Sequence, residues 1–178
     1  MIMFDLDAHI KKIPNFPKEG VLFFDITGIL AEPSAFSYCI DAMVDLYRTR
    51  QIDAVAAVEA RGFLFAAPFA ARMHIPLILI RKKGKLPGKV FTKTYQLEYA
   101  QATIEIHPED VPNGARLLLL DDLIATGGTL KASRELLTTA GAIVTDVFGV
   151  VGLPFLNYQD NLLGLDIRTL IEYQSDSI

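Results

Sequence analysis

Apolar and polar positions along this chain predict strands and helices in alternation. Short runs with few polar residues, typical of strands covered on both faces, occur at 54–58, 77–80, 117–120 and 143–151. Apolar residues spaced three and four apart predict helices that begin near Pro33 and that span 62–73 and 129–140. This alternation favours an α/β fold, a parallel sheet with helices on both faces.

The two ends of the chain fit this pattern less well. Leu6, Ile10 and Ile13 have helical spacing and predict a short opening helix that prolines bring to an end. We expect this helix and the last residues, about 25 in number, to form a lid over the carboxyl edge of the sheet. Two further short strands are predicted at 95–99 and 102–106.

Length and composition indicate one soluble globular domain over residues 1–178. The chain has no internal repeat or linker, and 51% hydrophobic with 21% charged residues is a globular balance. No apolar stretch approaches the roughly 20 residues that span a membrane, and the N-terminus lacks a secretory pattern, so we expect no membrane contact and a cytoplasmic location. Cys39, the single cysteine, is expected to be a core residue without chemistry.

The charge distribution favours a small anionic ligand. A net charge of −4 argues against nucleic-acid binding, yet six basic residues and no acid lie between Arg81 and Lys93. Such a patch suits a small polyanion; a solvated loop is the alternative. The segment has no clear period, so we expect it to be mobile.

Residues 117–129 carry the most specific chemical signal. Four leucines predict a buried strand, and Asp121 and Asp122 follow at its carboxyl end, where open α/β sheets bind ligands. Gly127 and Gly128 then allow backbone N–H groups to approach an anion, and a helix begins near Thr129. The stretch matches neither common nucleotide-binding glycine pattern. It predicts a cradle for a phosphorylated sugar.

This stretch resembles the diphosphoribosyl-binding motif of the type I phosphoribosyltransferases. The resemblance implies that Asp121 and Asp122 bind the ribose hydroxyls. It assigns the 5-phosphate to Ala125, Thr126, Gly127, Gly128 and Thr129.

A second segment, Glu59-Ala60-Arg61-Gly62, places anion donors where a predicted strand runs into a helix. In the family the equivalent loop binds pyrophosphate, often through a strained peptide. The resemblance therefore assigns Glu59 and Ala60 to substrate binding and Arg61 to catalysis. The alternative is an exposed arginine at a helix start.

The basic segment and the Leu-Glu-Tyr triplet after it narrow the resemblance to the adenine-specific members of the family. It implies that Arg81, Lys82 and Lys85 contact pyrophosphate on a flexible loop, from about 82 to 97, that closes over substrate. Glu98 would be the general acid or base on the purine, and Tyr99 would contact substrate. Without the resemblance, Glu98 would be taken for a surface carboxylate.

Residues 16–27 are similar to the purine loop of the family, within a small N-terminal hood of about 30 residues. Backbone groups of Leu22 and Phe24 would then read the base edge, and the ring of Phe23 would stack on it. The alternative is that these positions are simply core. The resemblance covers roughly 10–151 and has three departures: Phe24 replaces a common arginine, Ala60 a usual serine and Gly152 a frequent glutamate.

Taken together, the resemblance implies transfer of a 5-phosphoribosyl group from 5-phosphoribosyl 1-diphosphate (PRPP) to adenine, giving AMP and pyrophosphate. Mg²⁺ would be required and held mainly through substrate and water, without direct protein ligands, and the family is typically homodimeric. Two alternatives stay open: a 6-oxo purine as the acceptor, or a PRPP-binding regulator without activity. His9, His74 and His107 lack metal-ligand spacing and are expected to be structural.

Overall fold

A computed structural model of the chain describes residues 4–96 and 101–176. The strands are β1 (Lys11–Pro14), β2 (Leu22–Asp25), β3 (Ala54–Val58), β4 (Leu77–Lys82), β5 (Phe91–Gln96), β6 (Gln101–Ile106), β7 (Arg116–Ile124), β8 (Ile143–Gly152) and β9 (Asp166–Glu172). The α-helices are α1 (Thr27–Ala31), α2 (Pro33–Tyr47), α3 (Gly62–Met73), α4 (Gly128–Thr139) and α5 (Tyr158–Asn161). Single 3₁₀ turns lie at Asp7–His9, Pro108–Asp110 and Pro154–Leu156.

The main sheet has the strand order β5-β6-β4-β3-β7-β8-β9. The five strands from β4 to β9 in that order are parallel, whereas β6 pairs antiparallel with β4, and β5 with β6. The predicted parallel sheet is confirmed, with an antiparallel hairpin added at one edge. Because β3, β4 and β7 point the same way, the segments that follow them meet at one edge.

The central strands are buried on both faces, which explains their unbroken apolar runs. Leu118 and Leu120 of β7 pack with α2 and α3 on one face, and Leu117 and Leu119 pack with α4 on the other. This alternation follows the two-residue period of a strand. It confirms the prediction of helices on both faces.

The opening segment is a strand, not the predicted helix. After one 3₁₀ turn, β1 pairs antiparallel with β2 and forms a separate two-stranded sheet, called the hood here. Leu6 and Ile10, on either side of the turn, are both buried, so a single turn already satisfies the apolar spacing that suggested a longer helix.

The last residues extend the sheet and do not form the expected lid. β9 pairs parallel with β8 as the edge strand of the main sheet. The crossover between them is only one 3₁₀ turn and the four-residue helix α5, too short to give a helical period in the sequence. Arg50 then joins the two strands through ion pairs with Asp146 and Asp166.

The basic segment is more regular than the sequence suggests. β4 extends to Lys82 and β5 begins at Phe91, so the predicted strand at 95–99 starts four residues early, and its residues 97–99 lie outside the described part of the chain. β6 confirms the strand predicted at 102–106. The mobility of the segment stays a prediction. Within the described ranges, no helix is long and apolar enough to cross a membrane.

Candidate active site

The carboxyl ends of β3, β4 and β7 open into a cleft of about 850 Å³. The structure brings eight of the residues selected from the sequence to its walls: Glu59, Ala60, Arg61, Lys82, Asp121, Asp122, Ala125 and Thr129. They lie at the carboxyl ends of β3, β4 and β7 and in the segments that follow these strands. The cleft therefore combines carboxylates, cations and a helix start in one place.

Arg61 lies at the start of α3 and connects three parts of the site. Its Nε atom donates to Asp122 Oδ2 over 2.5 Å, and its guanidinium lies 5.8 Å from the centre of the Phe23 ring. The side chain is 45% exposed, so it still faces solvent, whereas Asp122 is 4% exposed. Arg61 is therefore fixed by an ion pair and still partly accessible to a ligand, unlike a freely solvated surface residue.

A glycine lets α3 start against the acid pair. A Cβ at Gly62 would lie 3.2 Å from Asp121 Oδ1 and 3.3 Å from the backbone oxygen of Leu120. Contacts that short are rare for a real Cβ, so any side chain here would push α3 away from β7. Gly62 therefore sets the distance between Arg61 and the two carboxylates.

Asp121 and Asp122 have different environments. Burial raises the pKa of Asp121 well above its ordinary value, and the adjacent Asp122 charge raises it further. Asp122 donates its backbone N–H to Asp121 Oδ1 over 2.9 Å and pairs its side chain with Arg61. The site thus places a carboxyl group with a raised pKa beside an ion-paired carboxylate, and the oxygen atoms of both can accept hydrogen bonds from hydroxyl groups.

The loop after β7 forms a small cavity of about 80 Å³ at the start of α4. Residues 125–129, the set predicted to hold a phosphate, line it together with Asp121. Gly127 has a φ of +77°, and a Cβ there would lie 3.1 Å from the Tyr158 backbone oxygen. The Asn161 side-chain amide donates to the backbone oxygen of Thr126 over 2.8 Å and so connects the loop to α5. This is the geometry of an anion cradle at a helix N-terminus.

The purine loop divides into two environments. Phe24 is 2% exposed and stacks on Tyr173 with ring centres 4.3 Å apart, so its side chain belongs to the core. Phe23 is half-buried, meets Phe16 edge-to-face at 5.0 Å and faces Arg61. Leu22 is also half-buried, and none of Leu22, Phe23 and Phe24 is among the described residues that line the cleft.

Glu59 organises the basic segment. Its Oε2 accepts from Arg81 Nε over 3.2 Å and from the Lys82 backbone N–H over 3.0 Å. Burial alone would raise the pKa of Glu59, but these hydrogen bonds outweigh it and hold that pKa below its ordinary value. Arg81 also contacts the Lys85 backbone oxygen at 3.4 Å. Neither Arg81 nor Lys85 is among the described residues that line the cleft.

Two predicted residues are not described by the structure, and two residues at the cleft were not predicted. Glu98 and Tyr99 lie outside the described part of the chain. Sequence reasoning missed Lys83, which lines the cleft, and Tyr95, whose hydroxyl lies 3.0 Å from Thr129 Oγ1. Lys83 is in the basic segment and Tyr95 is three residues before Glu98. Their place in the sequence, next to predicted site residues, was the only feature that could have identified them.

Ala60 and Gly152 are the other two positions at which the sequence departs from the family pattern. Ala60 is exposed in the cleft and follows Glu59 through a cis peptide bond. A Cβ at Gly152 would lie 2.8 Å from Thr169 Cγ2 and 3.1 Å from the Tyr158 hydroxyl, which donates to Glu172. A glutamate at position 152 would need the Thr169 side chain to move.

Metal-ligating side chains are sparse. No group of three or more histidine, cysteine, aspartate or glutamate residues within 4–96 and 101–176 could hold a metal ion. The Asp121–Asp122 pair offers the oxygen atoms that Mg²⁺ prefers, but too few for a complete protein shell.

Cys39 is buried, and burial raises its pKa to about 12, which leaves the thiol unreactive.

Comparisons with known proteins agree with this geometry. Residues 25–147 match the model of the phosphoribosyl transferase domain. The chain is 60% identical to the adenine phosphoribosyltransferase of Treponema denticola over 97% of this chain and 91% of that one. The adenine phosphoribosyltransferase structure from Thermoanaerobacter pseudethanolicus has a TM-score of 0.92 and 41% identity, with 95% and 98% of the two chains covered. The enzyme of Saccharomyces cerevisiae, solved with an imino-altritol bisphosphate and adenine, has a TM-score of 0.87 and 35% identity, with 93% and 96% covered.

Proposed function

The chain belongs to the phosphoribosyl transferase family, among its adenine phosphoribosyltransferases, and we propose that it transfers the 5-phosphoribosyl group of PRPP to N9 of adenine. The products are AMP and pyrophosphate. One observation carries the proposal: Arg61, the Asp121–Asp122 pair and the cradle at 125–129 border one cleft. This arrangement supplies a place for each charged part of PRPP.

The acid pair and the cradle bind the ribose 5-phosphate part. Asp121 and Asp122 accept hydrogen bonds from the ribose hydroxyls. The 5-phosphate occupies the cavity at the start of α4, where backbone N–H groups and the helix dipole favour an anion. Both groups hold the sugar so that its anomeric carbon faces the cleft.

Cations bind the leaving group. Arg61, Lys82 and Lys83 all line the cleft. As the C1′–O bond to pyrophosphate breaks and the N9–C1′ bond forms, negative charge grows on pyrophosphate, and these cations stabilise it. The transfer needs little covalent chemistry from the protein, because positioning and charge lower the barrier.

The hood reads the base. An N–H and a C=O at Leu22 and Phe24 pair with a ring nitrogen and the exocyclic amine of adenine, and mismatch a 6-oxo purine. The Phe23 ring, which also faces Arg61, stacks on the base. Glu98 takes up the N9 proton, a role assigned from the family resemblance.

Mg²⁺ would be held mainly through substrate oxygens and water, since the Asp121–Asp122 pair alone offers too few oxygen ligands for a complete protein shell. When bound, Mg²⁺ would neutralise part of the diphosphate charge. A homodimer and a cytoplasmic location belong to the proposal as predictions. Light scattering on a sizing column tests the first.

A direct assay tests the function. Purified protein is incubated with Mg²⁺, PRPP and, in parallel, adenine, hypoxanthine or guanine, and nucleotide formation is followed by absorbance. Selective AMP formation supports the proposal. Preference for a 6-oxo purine would overturn the assignment of the hood, and PRPP binding without turnover of any base would identify a regulator.

A further inference from the structure

We propose that Glu105 is a positioning residue of this site, whose buried carboxylate fixes the start of the basic segment so that its lysines face the diphosphate. The inference rests on the proposed function. It concerns a residue in β6, on the strand beside β4, that does not itself line the cleft.

Three consecutive backbone amides converge on this carboxylate. Glu105 Oε1 accepts from the N–H groups of Lys85 and Leu86, both over 2.7 Å, and Oε2 accepts from Gly84 over 3.0 Å. The residue is 3% exposed. A carboxylate that is withdrawn from water needs such partners, because an unpaired buried charge is costly.

These bonds complete an unbroken series along the chain. The Lys82 amide donates to Glu59 over 3.0 Å, and the Lys83 amide donates to the Thr103 backbone oxygen over 3.0 Å. All five amides from 82 to 86 are therefore anchored, two of them outside the Glu105 carboxylate and three on it. The first part of the predicted flexible loop is thus tied down by a hydrogen bond at every backbone amide from 82 to 86.

The hydrogen-bonded stretch 82–86 contains the two lysines of the cleft. Lys82 and Lys83 line the cleft, directly before the three amides that Glu105 holds. If those amides were released, the backbone at 84–86 would be free to rotate, and Lys82 and Lys83, although their own amides stay bound to Glu59 and Thr103, would lose the fixed segment that follows them. Glu105 thereby acts on the diphosphate through these two residues and touches no substrate.

The chemistry of the site requires a charged acceptor. Burial alone would raise the pKa of Glu105, but the three amide donors outweigh it and hold that pKa below its ordinary value. Glutamine has the same shape, yet it offers one acceptor oxygen and turns an NH₂ group toward N–H donors. Glu105→Gln therefore breaks part of the anchor without changing the volume of the side chain.

The experiment compares Glu105→Gln with wild type in hydrogen exchange and in steady-state kinetics. We expect faster exchange at amides 84–86 and a KM for PRPP raised about tenfold, with the KM for adenine changed less than about twofold. Glu105→Asp keeps the charge and should give an intermediate KM for PRPP, including if the glutamine variant fails to fold. Glu109→Gln, at an exposed carboxylate nearby, is the matched control and should equal wild type.

Two results would overturn the inference. Faster exchange at 84–86 with an unchanged KM for PRPP would make the anchor purely structural, and equal increases of both KM values would indicate general destabilisation. Calorimetric binding of magnesium pyrophosphate to the same variants separates the two proposals. If wild type turns over no purine, the proposed function fails, while weaker pyrophosphate binding by Glu105→Gln still supports the positioning role and unchanged binding rejects it.

Discussion

Arg61 Nε lies 2.5 Å from Asp122 Oδ2, so the loop assigned to pyrophosphate and the acid pair assigned to ribose are joined by one ion pair. The same guanidinium lies 5.8 Å from the centre of the Phe23 ring in the hood. Arg61, in the loop assigned to the leaving group, therefore pairs with the acid assigned to the sugar and lies near the ring assigned to the base. Substitutions at Arg61 should affect more than one of them.

Arg61→Ala should lower kcat/KM for PRPP by about 100-fold, because it removes a cation from the leaving group and leaves the Asp122 carboxylate unpaired. Arg61→Lys keeps the charge but not the planar donors, and should recover only part of the loss. Initial-rate kinetics with varied PRPP check both. Arg48→Ala removes an exposed arginine that pairs with Asp45 on the surface, and serves as the control. An Arg61→Ala enzyme with the kinetics of that control would mean that Arg61 is only a surface residue.

Asp121→Asn should stabilise the protein and weaken the enzyme. Asp121 has a raised pKa, so ionising it costs folding free energy, and asparagine removes that cost. We expect Tm to rise by about 2–4 °C near neutral pH, and kcat/KM for PRPP to fall about 10- to 100-fold through the lost hydroxyl contact.

The pH dependence of that stability gain follows from the sign of the pKa shift. Between the unfolded value, about 4, and the raised folded value, the native protein binds more protons than the unfolded chain, so wild-type stability falls as pH rises. The difference in Tm between Asp121→Asn and wild type should be small below about pH 4 and should grow above it. Thermal melts over a pH series test this, and a difference that shrinks with rising pH would contradict the assignment.

The sequence predicted those parts of the fold that depend on long local patterns. β3 and α3 begin and end where the apolar runs predict, because both pack along their whole length against the sheet or a helix. The sequence also indicated that the acid pair and the loop at 125–129 lie together after β7, since strand, carboxylates and glycines are adjacent in the chain.

The parts that the sequence missed depend on contacts between distant segments. Glu105 binds backbone amides that lie 19 to 21 residues away, and every residue except proline carries such a donor, so no residue type marks them. β9 was missed because its crossover is too short to show a helical period. Tertiary pairing, not local preference, determines both features.

Gly127→Ala should raise the KM for PRPP through the shape of the phosphate cradle. Gly127 and Gly164 have φ values of +77° and +78°, so alanine at either position carries a similar backbone penalty of about 1 kcal/mol. Only at Gly127 would the new Cβ meet a neighbour, the Tyr158 backbone oxygen at 3.1 Å, whereas nothing lies within 4 Å at Gly164. Kinetics and melts on both variants separate the two effects. A KM that changes equally in both would show that backbone strain alone is responsible.

Phe23→Ala and Phe24→Ala should produce opposite phenotypes, although the residues are adjacent. Phe23 is half-buried and faces Arg61, so its loss should raise the KM for adenine about tenfold through lost stacking, with little change in Tm. Phe24 is 2% exposed and stacks on Tyr173, so its loss should lower the free energy of unfolding by about 3–5 kcal/mol. Kinetics with varied adenine and thermal melts distinguish the two.

A second substitution at Phe24 tests whether the replacement of the family's common arginine at this position affects the choice of base. The Phe24 ring packs against Tyr173, on the core side of the hood, so only its backbone can face the base. Phe24→Leu, which keeps an apolar core side chain, should therefore leave the ratio of kcat/KM for adenine to that for hypoxanthine unchanged. A shift of that ratio toward hypoxanthine would mean that the Phe24 side chain reads the base, and the backbone assignment for the hood would then be wrong.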